Sequence, residues 1–317
     1  MLTIFYDSLT ELEWFIELNP IFEDAEFCLI LNKGKNPEAI EKLLQYDKPD
    51  IILLHNNIPV LVLEKTSEVP TGHNVGQRFA RLVKGIEEGV LTIYYFPFDA
   101  RKHGANTSIC NLNIRLLDAC FKIQNIHNVP LLVVDWISDD NGELIYDGSE
   151  NIRLIEIIHD FIQSDFNYNC PEVNKQLNIM QNEYIHRLNQ YPAYGEMPAS
   201  VVKYNTDEFI SIFSLTNVPD KFRSKSYTYV YKINMSPGSC KRQDPYTGTQ
   251  LIYDYMVCRN GELTSDKHNN LVLYFPSLDE DLWFSKNPNN SNTKSSNWYI
   301  TASALLFKNN DIHYNIL

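Results

Sequence analysis

The stretch that most constrains this 317-residue chain is 49–66, PDIILLHNNIPVLVLEKT. Two short apolar runs, 51–54 and 60–63, flank the polar break His55-Asn56-Asn57. Short β-branched runs bounded by turn residues predict buried strands joined as a hairpin. An acid stands at each outer end, Asp50 before the first run and Glu64 after the second. Such carboxylates cost free energy unless they are paired, hydrogen-bonded or metal-bound. With the turn centred on Asn57, the numbers of cross-strand partners sum to 114, and Asp50 faces Glu64. Opposed residues share a face, with Cβ atoms about 4.5–5.5 Å apart. Thr66 shares that face and Lys65 points the other way. A slip of one residue would separate the acids. Like charges this close are stable mainly around a divalent cation.

The pattern resembles the PD-(D/E)XK nuclease superfamily, the fold of many type II restriction endonucleases. The matching residues are Pro49-Asp50, then Glu64-Lys65-Thr66, then a helix carrying Gln77 and Arg81; the likeness covers roughly 35–136. It implies an α/β fold with a restriction-endonuclease-like three-layer core around a mixed sheet. It also implies Mg²⁺, with Mn²⁺ as a substitute, held by Asp50 and Glu64. Catalysis would be shared by Asp50, Glu64, Lys65, Thr66 and Gln77. In the family a Lys two positions after the Glu orients the attacking water, and here that position is Thr66. The role then falls to Lys65 after a local twist, to a lysine elsewhere such as Lys84, or to none. The expectation is that Thr66 contacts the water and Lys65 supplies the positive charge.

Composition bounds the remaining readings. No apolar run approaches 18 residues, so no membrane span is expected. The N-terminus lacks the basic region of a secretory signal. Six scattered cysteines without CxxC spacing read as reduced, buried thiols of a cytoplasmic protein. The net charge of −13 argues against general attraction to a polyanion. Residues 1–199 hold 15 basic and 29 acidic side chains, whereas 200–317 hold 12 and 11. A nucleic-acid surface is therefore expected locally, and in the C-terminal third.

Helices are expected at 9–18, 37–46, 74–89, 107–125, 151–166 and 172–190, and strands at 26–32, 91–97 and 130–136. On the 37–46 helix, Glu41 either approaches Asp50 as a further acid or is a solvated helix charge. On the 74–89 helix, Val75, Phe79, Leu82, Val83 and Ile86 form the apolar stripe. Gln77, Arg81, Lys84 and Glu88 lie opposite it, as a solvated surface or as a wall of the site. His73 at the helix start meets a phosphate or is a plain turn histidine. Neither GxGxxG, GxxxxGK[ST] nor GxSxG is present, which removes support for nucleotide-binding and acyl-transfer readings.

The chain divides into a catalytic region with a helical extension, 1–199, and a β-rich region, 200–317. The latter has expected strands at 227–233, 250–257, 271–275 and 298–307, and a turn at 244–248. Six basic residues and no acid fall between 221 and 242: Lys221, Arg223, Lys225, Lys232, Lys241 and Arg242. Phe222, Tyr227, Tyr229 and Tyr231 are interleaved, which suits phosphate contacts with base stacking, or an edge strand guarded by lysines. Taken with these features, the resemblance implies a Mg²⁺-dependent, sequence-specific endonuclease that cuts double-stranded DNA as a homodimer. DNA contacts fall to His73, Arg81, Lys84, Lys221, Arg223, Lys225, Lys241 and Arg242. The alternatives are a non-specific defence nuclease of the same fold, on DNA or RNA, and a non-catalytic nucleic-acid-binding protein with a decayed site.

Overall fold

A computed structural model describes residues 1–32, 34–70, 73–101, 109–195, 197–240, 244–259, 267–287 and 299–315. The chain divides into two units: 1–72 with 81–192, and 73–80 with 193–317.

The first unit opens with β1 (Leu2–Tyr6), α1 (Leu9–Glu17), β2 (Glu26–Leu29) and α2 (Glu38–Leu43). The hairpin β3 (Ile51–His55) and β4 (Ile58–Lys65) follows, then α3 (His73–Glu87), of which residues 81–87 belong to this unit, and β5 (Leu91–Phe96). A small ribbon, β6 (Asp99–Arg101) with β7 (Ile109–Asn111), precedes α4 (Ile114–His127) and β8 (Leu131–Asp135). The unit closes with α5 (Ile152–Gln163) and α6 (Pro171–Gln190). Its six-stranded sheet has the order β2-β1-β3-β4-β5-β8. The pairs β1–β2, β4–β5 and β5–β8 are parallel, and β1–β3 and β3–β4 are antiparallel. This is the expected mixed sheet in an α/β unit. The helix expected from 107 starts at Ile114, because Ile109–Asn111 is drawn into the ribbon.

Helix α3 packs tightly on the sheet. A Cβ at Gly85 would sit 2.4 Å from Thr92 Oγ1 and 3.1 Å from Val62 Cγ2, so only glycine admits this approach. At the far edge, β8 is plugged by side chains of α6. The Val133 N–H donates to Met180 Sδ at 3.1 Å, and Gln176 Nε2 donates to the Val133 carbonyl at 2.7 Å. Both satisfy ladder groups that an edge strand would otherwise leave open.

The second unit is α/β as well. It comprises β9 (Val201–Asn205), α7 (Thr206–Ile212), α8 (Asp220–Arg223), β10 (Tyr227–Lys232), α9 (Asp244–Tyr253), β11 (Asn270–Phe275), α10 (Glu280–Lys286), β12 (Ala304–Phe307) and β13 (Ile312–Tyr314). The sheet order is β13-β12-β11-β10-β9, with β10, β11 and β12 mutually parallel. The expected strand at 250–257 is instead the end of α9 continued as a π-helical turn, Asp254–Cys258. Apolar residues crowd this segment on all sides, and a fully buried helix carries no period that separates it from a buried strand. The expected turn at 244–248 is the start of α9, where Pro245 is tolerated because a first-turn N–H has no helical partner. Nor is 227–233 an edge strand. β10 lies inside the sheet between β9 and β11, which corrects the lysine-guarded alternative.

Candidate active site

The hairpin register brings the two acids together by a different route from the one expected. The turn is the pair Asn56-Asn57, both left-handed with φ of 52° and 65°, as a two-residue hairpin loop requires. His55 pairs with Ile58 and Leu54 with Pro59, so near the turn the partners sum to 113. That register, continued, would face Asp50 with Leu63. A shift between Leu53 and Leu54 absorbs one extra residue on β4. Beyond it Leu53 pairs with Leu61, Ile52 with Val62 and Ile51 with Leu63, a sum of 114. The bulge therefore sets the buried Asp50 and Glu64 on one face.

Both acids lie where β4, β5 and β8 end, the edge of a parallel sheet at which α/β proteins place ligands. Asp50 Oδ2 accepts the Lys65 N–H at 2.7 Å. The side chain of Arg81, from α3, reaches three carboxylates. Its Nη1 lies 2.8 Å from Glu64 Oε1 and 3.4 Å from Asp50 Oδ1, and its Nε donates to Asp47 Oδ2 at 3.2 Å. Burial opposes the charge on Arg81, but Glu64, Asp47 and Asp50 outweigh it and raise its pKa. The counter-charge expected from a metal is thus supplied by a residue assigned to DNA. Arg81 itself is not on a solvated surface. Its side chain is only 16% exposed and forms a wall of the acid cluster. Sequence reasoning missed Asp47, whose only signal was its place three residues before Asp50.

Lys65 lies on the opposite face, as strand alternation requires. Its ammonium sits 4.0 Å from the centre of the Trp14 ring and 5.2 Å from that of Trp136. Tyr95 stacks between these rings, at 5.8 Å from Trp14 and 5.2 Å from Trp136. Burial lowers the Lys65 pKa, against the pull of Glu11, Asp50 and Glu150. No twist brings the ammonium round to the acids. Thr66 is buried, its N–H donates to the Tyr95 carbonyl at 3.0 Å, and its hydroxyl accepts the Glu68 N–H at 3.2 Å. Lys84 pairs within its own helix, with Glu87 at 3.2 Å and Glu88 at 2.9 Å. Glu41 binds the backbone and side chain of Asn36, at 2.8 and 2.7 Å. His73 and Gln77 belong to α3, and their side chains lie outside the described residues.

In the second unit, Lys221 and Arg223 are exposed on α8, Arg223 being 3.9 Å from Asp207. The half-buried Lys225 donates to the Lys267 carbonyl at 2.5 Å. Tyr227 and Tyr229 lie beneath Lys203, at 3.7 and 5.9 Å, and Tyr231 packs against Tyr253. Lys241 and Arg242 lie outside the described residues.

One further carboxyl shares the sheet face of Glu64. Phe96 pairs with Asp135 in register with Glu64–Tyr94–Val133. Burial pushes Asp135 up to about 6, opposed by the Phe98 N–H at 2.8 Å and reinforced by Asp99 and Glu183. Between the ordinary 3.8 and about 6 the folded carboxyl keeps a proton that the unfolded chain has released. Rising pH therefore costs stability across that window, and the cost is constant above it. Asp135→Asn should be the more stable protein at pH 8, by up to ~3 kcal/mol, and should match the wild type near pH ~3.5. Melting curves against pH check this; a pH-independent difference would count against it.

Comparison with known proteins finds no family model, no curated protein and no solved structure that matches this chain.

Proposed function

We propose that the chain is a Mg²⁺-dependent endonuclease that hydrolyses phosphodiester bonds of double-stranded DNA, of the restriction type. The observation that carries this reading is the burial of Asp50 and Glu64 on one face, at the C-terminal edge of a mixed sheet. The donor set fits the ion. It consists of carboxylate oxygens alone, the ligand type of hard cations, and Mg²⁺ commonly takes one or two carboxylates besides water and phosphate. Asp50 and Glu64 would hold it. When bound, the ion lowers the pKa of a water and offsets the charge that develops on the phosphate.

The remaining roles belong to the chain. The Lys65 N–H orients Asp50 through a charge-assisted hydrogen bond. Arg81 offsets one of three neighbouring negative charges, which eases the approach of a singly charged phosphodiester. Thr66 stands in the sequence position of the family's Lys, with its hydroxyl accepting the Glu68 N–H. Arg81 brings a positive charge against the acids, while the Lys65 ammonium lies over the Trp14 ring and feels Asp50 only through its field.

A second reading is favoured by the same residues: a non-catalytic nucleic-acid-binding protein, in which Arg81 has replaced the metal for good and Thr66 the lysine. Plasmid digestion with Mg²⁺ or Mn²⁺ separates the readings. Discrete bands support the restriction-type enzyme, smears a non-specific nuclease, and an intact plasmid in both metals the non-catalytic protein. DNA contact is tested apart from cleavage. If Lys221 and Arg223 neutralise phosphates, Lys221→Ala and Arg223→Ala should each reduce the slope of log K against log salt by about 0.9. Unchanged slopes in both variants would move the DNA surface away from α8.

A further inference from the structure

The two edges of the six-stranded sheet are treated differently. β8 is plugged by Met180 and Gln176. β2, at the other edge, is apolar and open at Phe27 and Leu29, which are 42% and 49% exposed; just beyond it the Asn36 side chain caps the N–H and carbonyl of Leu31, at 2.7 and 3.1 Å. Phe27 and Leu29 share one side of the strand, while Cys28 and Ile30 pack into the core from the other. Edge strands are ordinarily guarded by Lys, Pro or a bulge. β2 reads Glu26-Phe27-Cys28-Leu29 and has none of these.

The flanks say what partner fits. Glu23, Asp24 and Glu26 precede the apolar run and are exposed. In the sequence Lys33 and Lys35 follow it, and Lys35 is exposed. The strand is thus acidic at its start and basic after its end. Set antiparallel against a copy of itself, it turns each acidic flank toward the other copy's Lys35 end. Set parallel, it places like beside like.

We propose that β2 is a self-association edge, on which a second copy of this chain lays its own β2 antiparallel across a two-fold axis. The two sheets then form one continuous sheet. Backbone ladder bonds and the swapped Phe27 and Leu29 side chains join it, and the charged flanks set its direction. A two-fold contact of this kind is closed, so it yields a dimer and not a fibre.

Sedimentation velocity on the full chain, from micromolar to submillimolar concentration, tests this. The wild type should be a dimer. The double variant Phe27→Lys/Leu29→Lys should raise the dimer's dissociation constant at least roughly tenfold, with unchanged circular dichroism, since both side chains are exposed. The charge pattern has its own test. A triple Lys variant of Glu23, Asp24 and Glu26 should be monomeric, and so should Lys33→Glu/Lys35→Glu. An equimolar mixture of the two should restore the dimer, less strongly at high salt. A wild type that stays monomeric throughout overturns the proposal and leaves the edge to a different protein. So does a wild-type dimer that survives Phe27→Lys/Leu29→Lys.

Discussion

Asp50→Asn and Glu64→Gln should each lower plasmid cleavage by about 10³-fold or more while leaving the fold intact. Each change removes one negative charge and one hard oxygen ligand, and almost no volume. The Lys65 N–H that binds Asp50 Oδ2 can bind an amide oxygen in its place. Arg81 keeps two of its three carboxylates in either variant. Circular dichroism and melting curves should therefore stay close to wild type while the rate collapses. Mn²⁺ binding, read by the paramagnetic signal of the free ion, should weaken in step with activity. A variant of either acid that cuts near the wild-type rate would remove these residues from the chemistry.

The second large effect lies in stability. Arg81→Met keeps most of the volume and removes the charge, so Asp47, Asp50 and Glu64 lose the guanidinium that all three share. Breaking a buried ion pair from one side costs about 3–5 kcal/mol, because the orphaned charges remain buried. The small exposure of Arg81 keeps the expected loss near the lower end of that range. The same change vacates the space between the acids. Mn²⁺ should then raise the melting temperature of Arg81→Met far more than that of the wild type, by mass action on the folded state. A variant as stable as the wild type would mean that the cluster contributes little to folding. A destabilised variant that Mn²⁺ fails to rescue would mark Arg81 as a structural partner of acids that bind no metal.

The local patterns that were legible in the chain are short apolar runs and helical spacing. Continuous apolar runs bounded by Asn, Gly and Pro located β3, β4, β5 and β8, and spacing near 3.6 located α1, α5 and α6. Segment 250–257 was not legible, since a helix buried all round has no polar face to reveal its period. β1, β9 and β13 escaped notice for a related reason. They are three to five residues long and take their identity from the neighbour they pair with.

At the site the division is finer. The sequence alone determined that an acid ends each strand of a hairpin and that Lys65 lies on the face opposite Glu64, because alternation is a property of the backbone. The tertiary structure alone decided the rest. The one-residue shift at Leu53/Leu54 corrects a turn that would otherwise have faced Asp50 with Leu63. The rotation of α3, fixed by the close approach at Gly85, aims Arg81 at three carboxylates 17 to 34 residues away in the chain. Helical periodicity shows which residues share a side, but only packing against the sheet shows what that side meets. The cation at the centre of this site is therefore invisible in the motif that surrounds it.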